Sequence, residues 1–535
     1  MKLIFFSAVL GFHYDPCAQI AYKRVSSYAE AMACYQTFSL QEKVKSATLQ
    51  SLRRAIPLVS LNHNHSSMLK SALEVIEKEP FEREFDFHNS LVDLYAKGNM
   101  KYDAGCFSSF TFHLPLELVI EQENHALVVR VPKHMRYSSS MLPHWQSLGF
   151  VVSKLSGRRV LKIDSQDAVS YLLAVAKSQG SPHIASTLSR SMFEDGRWIV
   201  AEGSFAARKT PPPTKRLLVE FEDGEVMYLP FLASVPAGFH DSMSFYKNMC
   251  TLKNHRGPTP GLHGLRYKSN SKGTSHVKLV TADNNAILTI TSFEDTAVWE
   301  SEIHRALMYL LSRNIRELVL DLRDSGGHHV CGSYQLAEYL FPRKTIPRFP
   351  YVLPNAPLIK EIMKDCLQAP HDCTDIPIFS GNSNCGTSFL KDMPLHFNSS
   401  KTKIITNGLC EGACAILVHA LTKAGVVDLH FVGPPGIQPI LGSSGIPYSL
   451  KKLNQFLERK PQLMKTHGFP FYTDVDLTFT LGQPLEMNPD RVVFLNEVAP
   501  AKAVHNYSSD AMVSPLVLWQ TVLGVKANIP LPDFF

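Results

Sequence analysis

The stretch KIITNGLCEGACAILVHALTKAG, Lys403 to Gly425, decides the fold of the C-terminal part of this chain. Its β-branched start predicts a buried strand, the Asn-Gly pair predicts a turn, and the apolar run from about Gly412 predicts a helix. A strand that turns sharply into a helix is the arrangement on which many hydrolases present a nucleophilic side chain. Here the residue at the mouth of the predicted helix is glycine, which has no side chain to present.

A second turn of this kind lies upstream, in ELVLDLRDSGGHHVCGSYQLAEYLF, Glu317 to Phe341. An apolar strand reaches Asp321, and the glycines Gly326 and Gly327 precede a predicted helix. Paired glycines let successive backbone N–H groups point at an anion, which is the requirement for an oxyanion hole.

Three more segments surround these turns. AILTITSF and LHFVG have the composition of strands, and AVWESEIHRALMYLLSRN has the apolar spacing of an amphipathic helix. Strands that alternate with helices predict a parallel sheet with right-handed crossovers, which binds ligands at the carboxyl ends of its strands. Both glycine-containing turns follow strand ends, so the domain over 276–535 is predicted to carry the function.

Upstream of this domain the pattern predicts three regions. Apolar residues at three- and four-residue spacing predict a helical domain over 19–113. Short strands, one inserted helix and a hairpin on an Asp-Gly pair predict a β-rich module over 114–240, about the size of a peptide-binding domain. A segment rich in Gly, Pro, Ser and Lys predicts a linker over 241–275.

Residues 1–18 are typical of a secretory signal peptide, with one lysine, an apolar run of about ten residues and small residues near the end. A buried first strand would show the same run, and this alternative stays open. The run is too short to cross a bilayer, and no later segment approaches a transmembrane span. The sequence therefore predicts a secreted, extracellular protein without a membrane span.

The composition bounds the class of function. Hydrophobic residues make up 45% and charged residues 19% of the 535 residues, which is typical of a globular chain with several domains. The formal net charge is only +6 and the basic residues form no long run, so nucleic-acid binding has little support. No CxxC or HExxH motif occurs, and the sequence predicts neither a metal site nor a cofactor.

Cysteines and glycosylation motifs agree with secretion. The chain has ten cysteines, and Cys366, Cys373 and Cys385 cluster in a loop-like stretch that favours disulfides. The triplets that begin at Asn64, Asn398 and Asn506 are N-glycosylation motifs, although such triplets also arise by chance.

In chain order, the glycine turn, the strand-to-helix elbow and the turn FVGPPGIQPILGSSG (431–445) resemble the tail-specific, or C-terminal-processing, family of serine peptidases. The nearer likeness is to the secreted fungal relatives of the chlamydial protease-like activity factor. Their elbow has the pattern Thr-Asp-Gly-x-Cys-x-Ser-Ala-Cys-Ala. TNGLCEGACA, Thr406 to Ala415, departs from this pattern only at Asn407 and Gly412.

The resemblance implies an α+β multi-domain fold. Its parts are a helical N-terminal region, a PDZ-like β module, and a ClpP/crotonase-like crossover-sheet peptidase domain. It also implies acyl transfer without a cofactor or metal. In that reaction a serine attacks a peptide carbonyl, a base accepts the serine proton, and backbone N–H groups stabilise the oxyanion.

The chain departs from the family at both positions that would do the chemistry. Gly412 stands where the family has its nucleophilic serine. The family's histidine base follows an Asp-Ala or Asp-Gly pair, whereas Asp103-Ala104 is followed here by Gly105. Relatives with a Ser–Lys pair carry the lysine in the later turn, and none occurs over 433–445. Because no hydroxyl or base stands in these positions, the resemblance implies a degenerate site.

The resemblance leaves the oxyanion side of the site in place, formed by Gly326, Gly327 and the backbone N–H of Ala413. The acidic member of the family's triad lies near the C-terminus, where Glu497 is the matching carboxylate. An ordinary surface carboxylate is the alternative interpretation of Glu497. Asp321 is expected to end its strand and to fix the glycine turn by local hydrogen bonds.

Other candidate nucleophiles near these motifs have structural interpretations. Cys410 or Cys414 could replace the serine, but Cys414 lies one helical turn from Cys410 and is expected to face the core as a small apolar group. Ser443 and Ser444 lie in the later glycine-rich turn, where serine is common.

Four histidines are candidates for the base. His328 and His329 follow the glycine pair, but adjacent side chains point apart and no partner motif accompanies them. His88 and His113 flank the position of the missing histidine, and either could reach the site only if the chain is rerouted. Structural roles are favoured for all four.

The favoured function is a pseudopeptidase that keeps a cleft for an extended peptide, a protein ligand or a second subunit. If the second subunit is another copy of this chain, the assembly is a homodimer. The alternative is an active, atypical serine endopeptidase that processes a secreted or precursor peptide, for example in a fungal peptide-toxin pathway. A chain whose missing segments reflect a faulty gene model is a third interpretation.

Overall fold

The computed structural model describes residues 14–59, 63–96, 100–124, 126–133, 141–178, 191–194, 197–200, 205–251, 276–282, 284–293, 296–313, 315, 317–368, 402–433, 441, 444–488, 491–495, 501–505 and 515–524. These residues form a mixed α+β structure with several sheets. Among the helices described, none combines the length and the apolar character that crossing a membrane requires.

The predicted crossover sheet is present as a sheet of six described strands. In sheet order they are Val277–Ala282, Asn285–Ile290, Glu317–Asp321, Thr402–Thr406, Asp428–Val432 and Ala503–His505. The first pair is antiparallel and every later pair is parallel. The predicted helices follow as Thr296–Ser312, Val330–Leu340 and Ala413–Lys423.

Helices cover both faces of this sheet, as parallel strands require. On one face, Val330–Leu340 and Ala413–Lys423 pack in a large apolar cluster with Trp299. On the other face, the C-terminal helix Pro515–Leu523 packs against apolar side chains of the sheet such as Ile405. The carboxyl ends of Glu317–Asp321 and Thr402–Thr406 lie side by side, because these strands pair in parallel with Asp321 opposite Ile405.

The N-terminal region is helical where the apolar spacing predicts helices, but it also contains strands. Its helices are Tyr28–Tyr35, Glu42–Val59, His63–Lys78 and Glu84–Ala96, and its strands are Val25–Ser27, Lys101–Ala104 and Thr111–His113. Lys101–Ala104 pairs with the start of Val475–Asn488, almost 400 residues further along the chain. The other two strands pair with Leu232–Ser234. Such pairing cannot be read from local spacing, and the region shares a core cluster that extends to Leu481.

The β-rich module is built on a sheet whose main strands are, in sheet order, Val226–Pro230, Arg216–Phe221, Arg159–Ile163, Ala126–Arg130 and Val119–Glu123, with Gln166–Asp167 beside the central strand. The predicted hairpin is present, with Arg216 opposite Pro230 and Glu220 opposite Val226. The inserted helix is Ala168–Ser178.

Two predicted regions contain folded segments at their boundaries. Within the predicted linker, Ser242–Phe245 is a helix that continues into a wide turn, and Phe245 is fully buried. Cys250, at the end of that turn, is disulfide-bonded to Cys106. Residues 252–275 lie outside the described part of the chain.

The predicted signal-peptide boundary at residue 18 lies within the helix Pro16–Ile20. Cys17 is buried and disulfide-bonded to Cys34, and Asp15 accepts hydrogen bonds from the backbone N–H and the hydroxyl of Ser242. This helix is therefore joined to the folded body.

The remaining described elements complete the layers around these sheets. The helices are Leu142–Ser147, Val152–Leu155, Pro357–Gln368, Leu450–Glu458 and Pro461–His467, and the strands are Ser191–Glu194, Arg197–Val200, Ala207–Arg208, Tyr351–Val352, Ile446–Ser449 and Arg491–Phe494.

Candidate active site

The elbow places Gly412 immediately before the helix Ala413–Lys423, with φ 57° and ψ −119°. This is a conformation that side chains adopt only under strain, and it is the kind of sharp turn on which a nucleophile elbow holds its serine. A Cβ atom at 412 would overlap the carbonyl oxygen of Gly327 and lie 3.0 Å from Cδ of Pro447. The backbone frame of an elbow is thus present, but a neighbouring carbonyl occupies the space that a side chain would need.

The glycine turn is docked directly onto the elbow. The backbone N–H of Ala413 donates to the carbonyl of Gly327 at 2.8 Å, and the N–H of Glu411 donates to the carbonyl of Ser325 at 3.1 Å. The Ala413 N–H, expected to be an oxyanion donor, is therefore used by an internal acceptor in this conformation. An anion could reach it only if the Gly327 carbonyl moved away.

Gly327 is held from the other side by Phe293. The Phe293 N–H donates to the carbonyl of Gly326 at 2.7 Å. Gly327 has φ 141°, and a Cβ atom there would lie 2.6 Å from the backbone C and O atoms of Phe293. The turn is wedged between a strand end and the elbow, so only glycine fits at 327.

Asn407 joins the two turns through its buried side chain. Its Oδ1 accepts hydrogen bonds from the N–H groups of Asp324 (3.1 Å) and Leu409 (3.2 Å), and its Nδ2 donates to the Asp324 carboxylate at 3.1 Å. Asp324 has φ 56°, a conformation that needs such local support. The sequence comparison singles out this position only as a departure from Asp, and it does not reveal the structural role.

Cys410 and Cys414 are disulfide-bonded, with 5.2 Å between their Cα atoms, and both side chains are fully buried. The expectation that Cys414 lies in the core agrees with this, but neither residue is a free thiol. A disulfide has no thiolate, so neither sulfur can attack a carbonyl while the bond is intact. The four-residue separation of the two cysteines could have indicated this disulfide, since an elbow between them brings their side chains together.

Hydroxyl groups near the elbow lack a base. Ser333 donates a hydrogen bond to the carbonyl of Ala413 at 2.7 Å. The hydroxyl of Ser325 is buried and has no hydrogen-bond partner within the described ranges. Ser444 is also buried, with its hydroxyl 3.5 Å from the carbonyl of Leu495. No described histidine or lysine contacts these hydroxyls, so none is activated as a nucleophile.

The candidate histidines are engaged elsewhere. His328 lies in the turn after Gly327, while the His329 ring packs edge-on against Trp299 with Nε2 3.5 Å from the Glu300 carboxylate. Nδ1 of His88 lies 2.7 Å from the Tyr102 hydroxyl in a buried cluster. Nε2 of His113 lies 2.8 Å from the Ser234 hydroxyl, and burial lowers the pKa of His113 to about 4.

Position 105, where the family has its base, is closed by an acidic strand. The Gly105 N–H donates to the Asp474 carbonyl at 2.8 Å, and a Cβ atom at 105 would lie 3.0 Å from the Asp474 carboxylate. That carboxylate is paired with Lys451 at 2.6 Å. On the strand Val475–Asn488, Thr480 pairs with Pro447 beside the elbow. Asp474 and Thr480 are about 20 Å apart in an extended strand, which separates position 105 from the elbow.

Asp321 ends its strand as expected and pairs locally with Arg323 at 2.6 Å. Its carboxylate also accepts a hydrogen bond from Nε1 of Trp519 at 2.8 Å, which anchors the C-terminal helix. The sequence gives no signal for this second role.

Several candidates fall outside the described residues: Glu497, Ser443, Asn398, Asn506, Cys373 and Cys385. Asn64 lies in the helix His63–Lys78, and Cys366 is disulfide-bonded. Within the described ranges, no group of three or more His, Cys, Asp or Glu side chains could hold a metal ion.

Several solved structures are similar to this chain. Three solved structures are each 11% identical to this chain. Mature CPAF has a TM-score of 0.49 and covers 92% of this chain and 100% of its own. The photosystem II D1 C-terminal processing protease has a TM-score of 0.34, with 91% and 99% covered. A putative S41 protease from Bacteroides fragilis has a TM-score of 0.33, with 84% and 92% covered.

No curated protein matches the chain in sequence. Residues 284–356 match the model of "Peptidase family S41", and this segment includes the strand Glu317–Asp321, Gly326, Gly327 and the helix that follows them. S41 is a family of serine peptidases, and the glycine turn of the site lies inside the matched segment.

Proposed function

We propose that this chain is a peptidase-family protein that has lost hydrolytic activity and binds extended peptide. The observation that carries the proposal is the contact between Gly412 and Gly327, because it leaves no space for a nucleophilic side chain at the elbow. Acyl transfer needs a nucleophile, a base and free oxyanion donors. Position 412 has no side chain, position 105 has no side chain, and the Ala413 N–H already has an acceptor.

The β-rich module supports the binding part of the proposal. Among the described strands, Val226–Pro230 forms one edge of its sheet, and Val226 and Tyr228 on this strand are each 52% exposed. An edge strand offers unpaired backbone groups to an extended peptide, and exposed apolar side chains give the peptide something to pack on. A second protein chain, including another copy of this one, is an equivalent partner in this mode.

Secretion is part of the same proposal. The bonds Cys17–Cys34, Cys106–Cys250 and Cys410–Cys414 support an oxidising compartment, where such bonds form and persist. N-glycosylation at the predicted motifs would follow from entry into the secretory pathway.

The experiment is active-site labelling of the purified protein with a serine-reactive fluorophosphonate, with an active serine peptidase as the positive control. We expect no labelling of the wild type and no turnover of a peptide library. The variant Gly412→Ser is also expected to remain unlabelled, since its hydroxyl has no base.

Labelling of any residue over 400–450 in the wild type would overturn the proposal and favour the active, atypical peptidase. Labelling of Gly412→Ser alone would show that a base reaches the elbow, and that only the serine was lost. Peptide binding is tested separately, by fluorescence anisotropy with peptides selected from a library. Absence of any binder would contradict the binding part while leaving the loss of hydrolysis intact.

A further inference from the structure

Arg208 lies far from the elbow in sequence and is unusually placed for a charged residue. It sits on the short strand Ala207–Arg208, opposite Phe112, and only 9% of it is exposed. Its guanidinium lies 4.9 Å from the ring centre of Phe231. Its Nε is buried without a hydrogen-bond partner, and within the described ranges the guanidinium forms no ion pair.

A buried arginine cannot avoid the cost of burying its charge by losing a proton, because the guanidinium pKa stays above that of any other side chain. Burial lowers the pKa of Arg208. An aromatic face compensates only part of the lost hydration. An anion within hydrogen-bond distance would stabilise a buried guanidinium of this kind.

The acidic group in electrostatic range of Arg208 is already engaged. Asp164 Oδ1 accepts a hydrogen bond from the Leu218 N–H at 2.9 Å, and Oδ2 lies 3.5 Å from the Tyr171 hydroxyl. Asp164 also sits in a tight turn with φ 47°, so its carboxylate is fixed in place. The Tyr28 hydroxyl, which also interacts with Arg208, donates to the carbonyl of Pro212 at 2.8 Å.

We propose that Arg208 binds a small oxyanion, a carboxylate or phosphate group, together with the hydroxyl of Tyr171. The planar guanidinium presents two parallel N–H groups that match either anion. The Tyr171 hydroxyl makes only a long contact with Asp164, so it can turn and donate to the bound anion. The site joins Arg208 on the N-terminal sheet to Tyr171 on the inserted helix of the module. It is independent of the elbow and of the proposed loss of hydrolysis.

The test measures thermal unfolding of the full chain in a phosphate-free buffer at constant ionic strength. The additives are sodium acetate, sodium phosphate, acetamide and sodium chloride. Comparing the Tm in acetate with that in acetamide isolates the effect of the negative charge. Comparing the Tm in acetate with that in phosphate shows which of the two anions binds. We expect acetate, phosphate or both to raise Tm with saturation, and acetamide and chloride to leave it unchanged. At ten times Kd the ratio of folded to unfolded protein rises about elevenfold.

The decisive variant is Arg208→Met, which removes the charge and keeps an apolar contact with Phe231. It is expected to lose the anion-dependent rise in Tm. The matched control is Arg216→Met, which removes an exposed arginine stacked 4.3 Å from the ring centre of Tyr228 and should keep the rise. An equal rise in the two variants, or no anion effect in the wild type, would overturn the proposal.

If Arg208→Met fails to fold, equilibrium dialysis of the wild type against labelled acetate and labelled phosphate provides the second measurement. Close to one bound anion per chain, reduced severalfold in Tyr171→Phe, supports the site. Binding of neither anion, or binding that is unchanged in Tyr171→Phe, rejects it.

Discussion

The elbow at Gly412 and the strand end at Gly105 both lack the side chain that would do the chemistry, but different contacts close them. At the elbow, the closing contacts are backbone to backbone: the carbonyl of Gly327 accepts from the Ala413 N–H and fills the side-chain position of Gly412. At Gly105, the closing strand brings charged side chains, with Asp474 paired to Lys451.

This difference predicts different sensitivities. Backbone contacts depend on shape and carry no titratable group, so the elbow should respond to the addition of a single methyl group but not to pH. The base side has a titratable neighbour in Asp476, which lies opposite Asp103 and whose pKa is raised by burial. On the strand that follows, burial lowers the pKa of His113. That side should respond to pH more than to small changes in volume.

The largest effect is expected for Gly412→Ala. The methyl group meets the Gly327 carbonyl in a sparsely populated backbone conformation that already costs a side chain about 1–3 kcal/mol. The two turns must then separate and lose the Ala413–Gly327 hydrogen bond. We expect the free energy of unfolding to fall by about 3 kcal/mol or more, measured by urea denaturation.

Gly425→Ala is the matched control. Gly425 has φ 64°, but a Cβ atom there has no neighbour within 4 Å. It should therefore show only the conformational cost of about 1 kcal/mol. Equal losses of unfolding free energy in the two variants would mean that the contact between Gly412 and Gly327 contributes nothing. The proposed sensitivity of the elbow to added volume would then be wrong.

The frame of the elbow could be predicted because its signals are local. The β-branched strand, the Asn-Gly turn and the apolar helix follow one another in the chain, and each has its own period. The orientation of the Gly327 carbonyl could not be predicted, because it depends on the close packing of two segments about 85 residues apart. The sequence comparison therefore predicted free oxyanion donors, whereas the Ala413 N–H is already paired.

The base side was harder to predict for the same reason. Lys101–Ala104 appears in the sequence only as the end of a helical region, and its partner strand begins at Val475. The contacts of Gly105 with Asp474 follow from that distant pairing. No local sequence pattern near Gly105 indicates this contact with Asp474.

The second prediction concerns Asn407, which holds the glycine turn to the elbow. Asn407→Ala removes the hydrogen bonds to Asp324 and Leu409 and leaves buried N–H groups unpaired. We expect a loss of about 2 kcal/mol in unfolding free energy. Asn407→Asp keeps the acceptor but places a second carboxylate against that of Asp324, so it should also lose stability through repulsion between like charges. A loss in Asn407→Ala below about 0.5 kcal/mol would show that backbone contacts alone hold the turns together.

At neutral pH, the smallest effect is expected at His113, on the strand that follows the base side. Its pKa of about 4 in the folded protein lies below the ordinary value of 6.5. The stability contributed by the neutral ring is therefore complete above pH 6.5 and is lost as the pH falls toward 4. The loss is at most about 1.4 kcal/mol per pH unit, which corresponds to one proton taken up on unfolding.

His113→Gln should flatten the fall in unfolding free energy between pH 6.5 and 4, while the exposed control His144→Gln should leave it as in the wild type. Chemical denaturation at each pH measures both, and the buried His430, whose pKa is also lowered to about 4, contributes equally to all three proteins. Parallel curves for His113→Gln and the wild type would show that the His113 ring is solvated and does not titrate with folding. The pH sensitivity assigned to this side of the molecule would then have to come from Asp476, whose pKa is raised by burial. A raised pKa predicts the opposite sign, a loss of stability as the pH rises from about 4.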